Sequence, residues 1–377
     1  MAVSIWKSQT AFATEAGAPG RIPVTGQGAA VSAGEYRAHR PALLDQALKV
    51  ARGTFDPTVA LLRCPRDPRF WLVQESLAFA ALLLSRQRAS SVPASDTALA
   101  LKIIDAVLQS QNRKILSSDH GTFPLLWSPD RRHRSVPDPE SREILGSMLS
   151  VLLEDHAVAL GVARSDAVRE AVRRAVRPAD APPADSLTLR MLSAWLDLKF
   201  GDRFRGEQMA RTLADLERGA WTAQRVGNPR AYALELWALS LWQRSPRLRG
   251  NAEERVCELL GEAVSYVHPR MPEMFGAATT STSARDDQFP WLGAWLTWHA
   301  LGPAPMLPKA FSDPHLATLY ALPVSANVAL PASVAEALES KATAALTLDM
   351  AGHQLTGWSE PALLIEARES PLKRLPY

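Results

Sequence analysis

The stretch FWLVQESLAFAALLLSRQR, residues 70–88, decides the fold class of this chain. Its central run, Ser76 to Ser85, is apolar at almost every position and is bounded by Glu75 and Arg86. A helix that is apolar all round must be covered by other elements all round. The run is also shorter than the roughly 18 apolar residues that a membrane span requires. The stretch therefore predicts a buried helix inside a multi-helix core.

Segments with helical periodicity lie on both sides of this stretch. Upstream, PALLDQALKVARG (41–53) places its apolar residues on one stripe, with Pro at the start and Gly at the end. Downstream, SDTALALKIIDAVLQSQ begins at Ser95 and reads as a second helix. Further helical patterns cover residues 140–161, 165–176, 185–201, 206–219, 229–243, 251–267 and 289–302. The chain thus predicts about ten helices of ordinary length.

A faint repeat runs through three of these helices. Trp195, Trp237 and Trp295 each lie in a helix of otherwise small residues, with spacings of 42 and 58 residues. The first spacing fits one helix–turn–helix unit, and the second fits such a unit with a long inserted loop. The pattern predicts stacked helical hairpins.

Composition limits the classes of function. Apolar residues make up 47% of the 377 residues and charged residues 21%, a balance typical of a soluble globular protein. The net charge of +3, from 42 basic and 39 acidic residues, does not favour nucleic acid as a partner. No stretch is long and apolar enough for a membrane span, and the N-terminus shows no signal-peptide core. Localisation and oligomeric state are not indicated.

The chain divides into three parts by pattern. Residues 1–34 are expected to form a flexible N-terminal arm, and residues 35–302 a helical domain. Residues 303–377 begin with a Pro-rich linker, and the segment 347–370 alternates weakly, as two or three short strands would. Within the helical domain, the Pro-containing stretch 112–139 is irregular, but Phe123 and Trp127 favour an ordered loop.

The layout resembles a known group of enzymes. The resemblance rests on DPESREILGSMLSVLL at residue 138, NPRAYALELWALSLW at residue 228 and RDDQFPWLGAWLTWHALG at residue 285. Helical hairpins, a long polar loop, aromatic-rich helices and a short β-like tail look like the α/α-toroid enzymes, especially the heparinase- and alginate-lyase-like ones. The resemblance covers residues 41–302. It implies an all-α array of helical hairpins forming an (α/α) toroid, with a short irregular β-containing C-terminal tail.

The same resemblance implies a carbohydrate-active enzyme, a polysaccharide lyase or glycosidase, with a poly- or oligosaccharide bound in a cleft. The complete catalytic Asn/His/Arg/Tyr set of those lyases does not map onto this chain, so the reaction stays open between the two. Terpene cyclases share helical architecture, but Asp286 and Asp287 are followed by Gln288, which gives neither of their acidic motifs. The motifs of nucleotide-binding loops, zinc proteases and serine hydrolases are absent from the sequence as well. No cofactor or metal is indicated.

One candidate site surrounds the helix at 289–302. Trp291, Trp295, Trp298 and His299 share one face of this helix. That face either packs in the core or opens on a cleft, where Trp291 would stack on a sugar ring. Arg285 and Asp286 precede the helix as a binding residue and an acid–base residue, although a carboxylate there also suits helix capping.

A second candidate group lies in the irregular stretch. Asp119 and His120 occupy a loop, and histidine is the usual proton carrier near neutral pH. Trp127 and Glu140 follow, and a glycosidase needs two carboxyl groups facing one cleft. The alternative for Glu140 is structural, because Asp-Pro-Glu is typical of a helix start.

The third group is Asn228, Arg230 and Tyr232, where the helix at 229–243 begins. A lyase acting on uronic acids must neutralise a carboxylate and remove the neighbouring proton, tasks that suit Asn or Arg and Tyr or His. A simple helix cap, with Pro at the first helical position, explains Asn228 equally well.

The sequence thus predicts His120, Tyr232 and Asp286 as catalytic, with binding residues Asp119, Trp127, Glu140, Asn228, Arg230, Arg285 and Trp291. The alternative is a non-catalytic helical-repeat module that binds protein or glycan. An enzyme would bring at least two of a set of polar side chains into one pocket, whereas a binding scaffold would leave them dispersed: Asp119, His120, Glu140, Tyr232, Arg285 and Asp286.

Overall fold

A computed structural model describes part of the chain. The described residues are 44–45, 47–65, 67–85, 94–115, 117, 119–130, 135–138, 141–176, 186–201, 204–208 and 229–246, then 248–249, 252–253, 255–256 and 258–259, and the strands 267–268, 271–275, 346–350 and 353–357. For residues 136–138, for residues 229–233 and for the strands from 267 onward, the description covers the backbone. These residues are mostly helical, with a small antiparallel sheet.

Seven longer helices carry the described fold. They are α1 (44–54, residue 46 excepted), α2 (Val73–Ser85), α3 (Ala94–Ser110), α4 (Ser141–Asp155), α5 (Ala157–Val176), α6 (Leu187–Phe200) and α7 (Pro229–Gln243). Ser186 caps α6, its side chain accepting from the Leu189 N–H. Of the described helices, none combines the length and apolarity that a bilayer span takes.

The central helix α2 is buried along its whole length, as the sequence predicts. All 13 of its residues are buried, including the polar Gln74, Glu75 and Ser76. The Ser76 hydroxyl donates to the carbonyl oxygen of Leu72 and accepts from the Leu62 N–H at 2.8 Å, so it satisfies its own hydrogen bonds and those of a strand. This explains how a polar residue lies in an apolar core.

Consecutive helices pack as neighbouring pairs. Helix α2 packs on α3, α4 packs on α5, and the pairs touch through α2–α4 and α3–α5 contacts. The α3–α5 contact includes a bidentate ion pair. Arg164 Nε donates to Asp105 Oδ1 at 3.0 Å, and Arg164 Nη2 donates to Asp105 Oδ2 at 3.0 Å. Just beyond the end of α3, Gln111 Nε2 donates to the carbonyl oxygen of Ala171 in α5 at 3.0 Å. Helices α3 and α5 therefore run parallel.

Helices α4 and α6 also run parallel to each other. Glu143 near the start of α4 is hydrogen-bonded to Ser186 at the start of α6. At the other end, Glu154 of α4 forms an ion pair with Lys199 of α6. Two buried tryptophans lie in α6 and α7. Trp195 belongs to α6, and Trp242 of α7 donates its indole N–H to the carbonyl oxygen of Met191 in α6 at 3.1 Å.

A five-stranded antiparallel sheet lies beside these helices. Its strands are β1 (Phe55–Asp56), β2 (Leu61–Arg63), β3 (Trp71–Leu72), β4 (Phe123–Trp127) and β5 (Val136–Asp138), in that spatial order. Strands β2 and β4 pack against α2. The all-α prediction for residues 35–302 is right for most of the described residues, but it misses this sheet and a strand pair within residues 267–275. Strands of two to five residues are too short to show the alternating pattern that identifies a strand in sequence.

Two hairpins complete the described part: β6 (Val267–His268) with β7 (Met271–Phe275), and β8 (Leu346–Met350) with β9 (His353–Gly357). The β8–β9 pair confirms the short strands predicted in the C-terminal segment. The arm predicted at 1–34 lies outside the described residues, as does the linker beginning at 303.

Candidate functional site

The loop that carries Asp119 and His120 is fastened to the end of α5. The Gln111 side chain donates to the Gly121 carbonyl oxygen at 3.1 Å and accepts from Arg174 Nε at 2.9 Å. The Gly121 N–H donates to the Asn112 carbonyl oxygen at 2.8 Å. Gly121 has φ +81, and a Cβ placed there would lie 2.1 Å from the carbonyl oxygen of Arg174. Only glycine fits this close approach, so this residue fixes the position of its neighbour His120.

His120 is buried with an unpaired ring nitrogen. The residue is 6% exposed, and no described residue makes a hydrogen bond with its Nδ1 atom. Arg142 Nη2 donates to the His120 carbonyl oxygen at 2.6 Å. Burial lowers the pKa of Arg142, and the nearby charge of Asp119 acts to raise it. Asp119, His120 and Arg142 therefore form one cluster, named here the His120 cluster.

The His120 cluster lies at the N-terminus of α4. Ser141, the first residue of α4, accepts from the Phe123 N–H at 2.8 Å through its hydroxyl and so ties the helix to the start of β4. The first backbone N–H groups of a helix carry a partial positive charge, which adds to the charge of Arg142. This end of α4 therefore favours a negatively charged ligand group.

Glu143 is the next residue of α4 but belongs to a different surface. Successive helical residues point about 100° apart, and the Glu143 carboxyl bonds the Ser186 side chain at the start of α6. Burial raises the pKa of Glu143, and the hydrogen bond from Ser186 partly offsets this. The residue is a carboxyl group that keeps its proton to a higher pH than usual.

Trp127, a predicted sugar-binding residue, lies away from the His120 cluster. It ends β4, about 13 Å along the strand from Phe123. Its ring packs edge-on against Trp71, with ring centroids 6.5 Å apart, and Trp71 Nε1 donates to Asp56 Oδ2 at 3.2 Å. The structure thus places Arg142 beside the sequence neighbours Asp119 and His120, and Trp127 in the sheet.

The other predicted residues are described partly or not at all. Arg230 and Tyr232 lie in the first turn of α7, where the backbone is described. Outside the described residues are Glu140, Asn228, Arg285, Asp286 and Trp291. Sequence reasoning missed Arg142, although the charged run Glu140–Glu143 at a helix start was the available signal. Across the described part of the chain, no three His, Cys, Asp or Glu side chains are grouped as metal ligands.

Comparison with known proteins assigns this chain to no family. No family model, curated protein or solved structure matches it. The chemistry of the His120 cluster therefore follows from its own residues.

Proposed function

We propose that this chain is a carbohydrate-active enzyme, a polysaccharide lyase or a glycosidase, whose acid–base centre includes His120. The observation that carries the proposal is the buried, unpaired Nδ1 atom of His120. An unsatisfied buried polar group costs about 1–3 kcal/mol, so a hydrogen bond from a ligand group that reached this nitrogen would be favourable. Imidazole gives and takes protons near neutral pH, as both reactions require.

Arg142 supports an acidic sugar as the substrate. Its guanidinium is held against the carbonyl of His120, one residue inside the positive end of α4. Guanidinium groups bind carboxylates through paired hydrogen bonds. A uronate carboxylate bound at Arg142 would lose part of its negative charge, which makes the neighbouring C–H more acidic. His120 would then accept that proton, the first step of a lyase reaction.

The proposal includes the toroid and the remaining predicted residues. The parallel course of α4 and α6, with α3 and α5 parallel in a neighbouring layer, is the arrangement that a ring of helical hairpins requires. In such a ring, Glu140 would lie just before α4, and Tyr232 would lie in the first turn of α7. Asp286 and Trp291 would belong to the same cleft.

A second candidate is a non-catalytic helical-repeat module that binds protein or glycan. The side-by-side packing of α2–α3 and α4–α5 favours it. So do two exposed apolar residues early in α5, Val158 at 99% and Val162 at 82% exposure. A module of this kind binds polymer without turnover, and its binding does not depend on the imidazole of His120.

Turnover by matched histidine variants tests the proposal. The purified chain is incubated with pectate, alginate, hyaluronan and neutral glucans. Unsaturated products are followed by ultraviolet absorbance, and new reducing ends by a colorimetric assay. The variants are His120→Gln and, as the control, His156→Gln, which changes a second buried histidine in the α4–α5 connection.

We expect the wild type to cleave at least one polymer. His120→Gln should lower kcat by a factor of roughly 10²–10⁴, whereas His156→Gln should retain most of it. The same loss in both folded variants would remove His120 from the chemistry. Binding of a polymer without cleavage by any form would favour the helical-repeat module.

A further inference from the structure

A cavity lies at the opposite end of α4 from the His120 cluster. Its volume is about 370 Å³, at the lower end of the range for small-molecule sites. Four polar side chains line it: Glu154, Lys199, Arg244 and Ser245. Glu154 is 12 positions after Arg142 on the same helix, which places the two sites about 18 Å apart. The cavity is therefore a separate site.

The two basic side chains that line the cavity already form ion pairs within the protein. Lys199 forms an ion pair with Glu154, and Arg244 Nη2 bonds Asp155 Oδ2 at 2.8 Å. Arg244 Nη1 also donates to the Ser240 carbonyl oxygen at 2.8 Å. These two carboxylates and two cations balance, so a charged ligand would have to displace an existing partner. Displacement of this kind is costly for the pair Arg244–Asp155, whose side chains are 17% and 8% exposed.

The helix ends around the cavity disfavour anions further. Helices α4 and α6 end at Asp155 and Phe200, so their last carbonyl groups add partial negative charge at this end. The Lys199 ammonium, in turn, lies over the rings of Trp195 and Phe200, at 6.0 and 5.8 Å from their centroids, and opposes an incoming cation. An uncharged ligand is repelled neither by the helix ends nor by the Lys199 ammonium.

The remaining bonding capacity of the cavity suits hydroxyl groups. An ammonium group has three donors, a carboxylate has two acceptor oxygens, and the Ser245 hydroxyl both donates and accepts. Leu198 and Pro246 add apolar wall to the same cavity. A sugar ring matches this lining, because it presents hydroxyl groups at its edge and C–H groups on its faces.

We infer that this cavity binds one or two rings of a neutral sugar, independently of the His120 cluster. Binding uses Glu154 and Lys199 as hydrogen-bond partners of ring hydroxyls, while Leu198 and Pro246 cover the C–H face.

Saturation-transfer NMR on the full chain tests this inference, with cellobiose, maltose, lactose and mannobiose as neutral probes. Digalacturonate and spermidine are the charged probes. Ser245→Phe fills the cavity without changing an ion pair, and Glu154→Gln removes one charged acceptor. The matched control is Asp67→Asn, which alters an exposed ion pair with Arg69.

We expect saturable binding of at least one neutral disaccharide at the cavity. Any signal from digalacturonate should be the same in the wild type and in Ser245→Phe, because a uronate would bind at the His120 cluster, and spermidine should give none. Ser245→Phe should abolish the disaccharide binding, and Glu154→Gln should weaken it about tenfold. Asp67→Asn and His120→Gln should leave the affinity unchanged. No saturable signal from any neutral disaccharide, or a signal that survives Ser245→Phe, would overturn the inference. Loss of binding in His120→Gln would place the sugar at the His120 cluster, which overturns this inference and leaves the proposed function standing.

Discussion

Replacing Gly121 with alanine tests how the His120 loop is positioned. An added Cβ would lie 2.1 Å from the carbonyl oxygen of Arg174 and 2.6 Å from its carbonyl carbon, both backbone atoms of α5. The loop must therefore move by about 1 Å, because C···O contacts rarely fall below roughly 3.2 Å. Alanine at φ +81 adds backbone strain of about 1–2 kcal/mol. Overpacking adds about 1–3 kcal/mol, so the free energy of unfolding should fall by about 2–5 kcal/mol.

Gly146→Ala is the matched control for this prediction. Gly146 is buried in α4, and a Cβ there would meet Leu192 Cδ1 at 3.6 Å and Ala175 Cβ at 3.7 Å, which are ordinary contacts. Alanine also has the better helix propensity, so this variant should be neutral or gain up to about 1 kcal/mol. Urea unfolding followed by circular dichroism measures both variants. Equal unfolding midpoints for Gly121→Ala and Gly146→Ala would refute the close approach of the loop to α5.

Three further substitutions probe electrostatics. The hydrogen bond from Arg63 holds the pKa of Asp56 well below its usual range, against the effect of burial. The stability that this carboxylate contributes is therefore present above pH ~4 and lost on acidification. Asp56→Asn should lower the free energy of unfolding by about 1–3 kcal/mol at neutral pH and by less in acid, as measured by urea unfolding at several pH values. Burial raises the pKa of Glu143, so its charged form destabilises the folded protein as the pH rises. Glu143→Gln should therefore raise the free energy of unfolding at pH 7 and leave it unchanged near pH ~4. A lower free energy of unfolding at pH 7 would contradict this. Asp105→Asn removes the ion pair with Arg164, whose side chains are each 40% exposed; it should cost less than about 1 kcal/mol, and high salt should erase the difference.

The helices could be predicted from the sequence because their signals are local. The pattern PRAYALELWALSLWQ, with Pro at the first helical position, has the same bounds as α7. The apolar run within 70–88 became the fully buried α2. One boundary was wrong: the pattern at 140–161 reads as one helix, but α4 ends at Asp155. The chain continues as α5, with a non-helical Gly161 at φ 70 and ψ 171. No proline marks that break.

The sheet and the His120 cluster depend on contacts between distant residues. Strand β3 is two residues long and pairs with β4 through Trp71 and Trp127. Such short strands show no alternation of apolar and polar residues from which they could be predicted. His120 could be selected because histidine in a polar loop is a common acid–base group. The charged run Glu140–Glu143 at a helix start includes Arg142, but its contact with the backbone carbonyl of a residue 22 positions earlier arises only in the folded chain. The tight contact of Gly121 with α5 is likewise a property of the folded chain.

The most direct test of the central claim is the NMR signal of the His120 imidazole, with and without sugar. The chain is labelled at histidine, His120→Gln assigns the resonance, and oligogalacturonate, oligoalginate and neutral oligosaccharides are titrated. A ligand group that bonds Nδ1 should shift the His120 resonance saturably and change its pKa, while the His156 resonance stays in place. A His120 resonance that no oligosaccharide moves would contradict the account, because the unpaired nitrogen would then have no part in sugar binding.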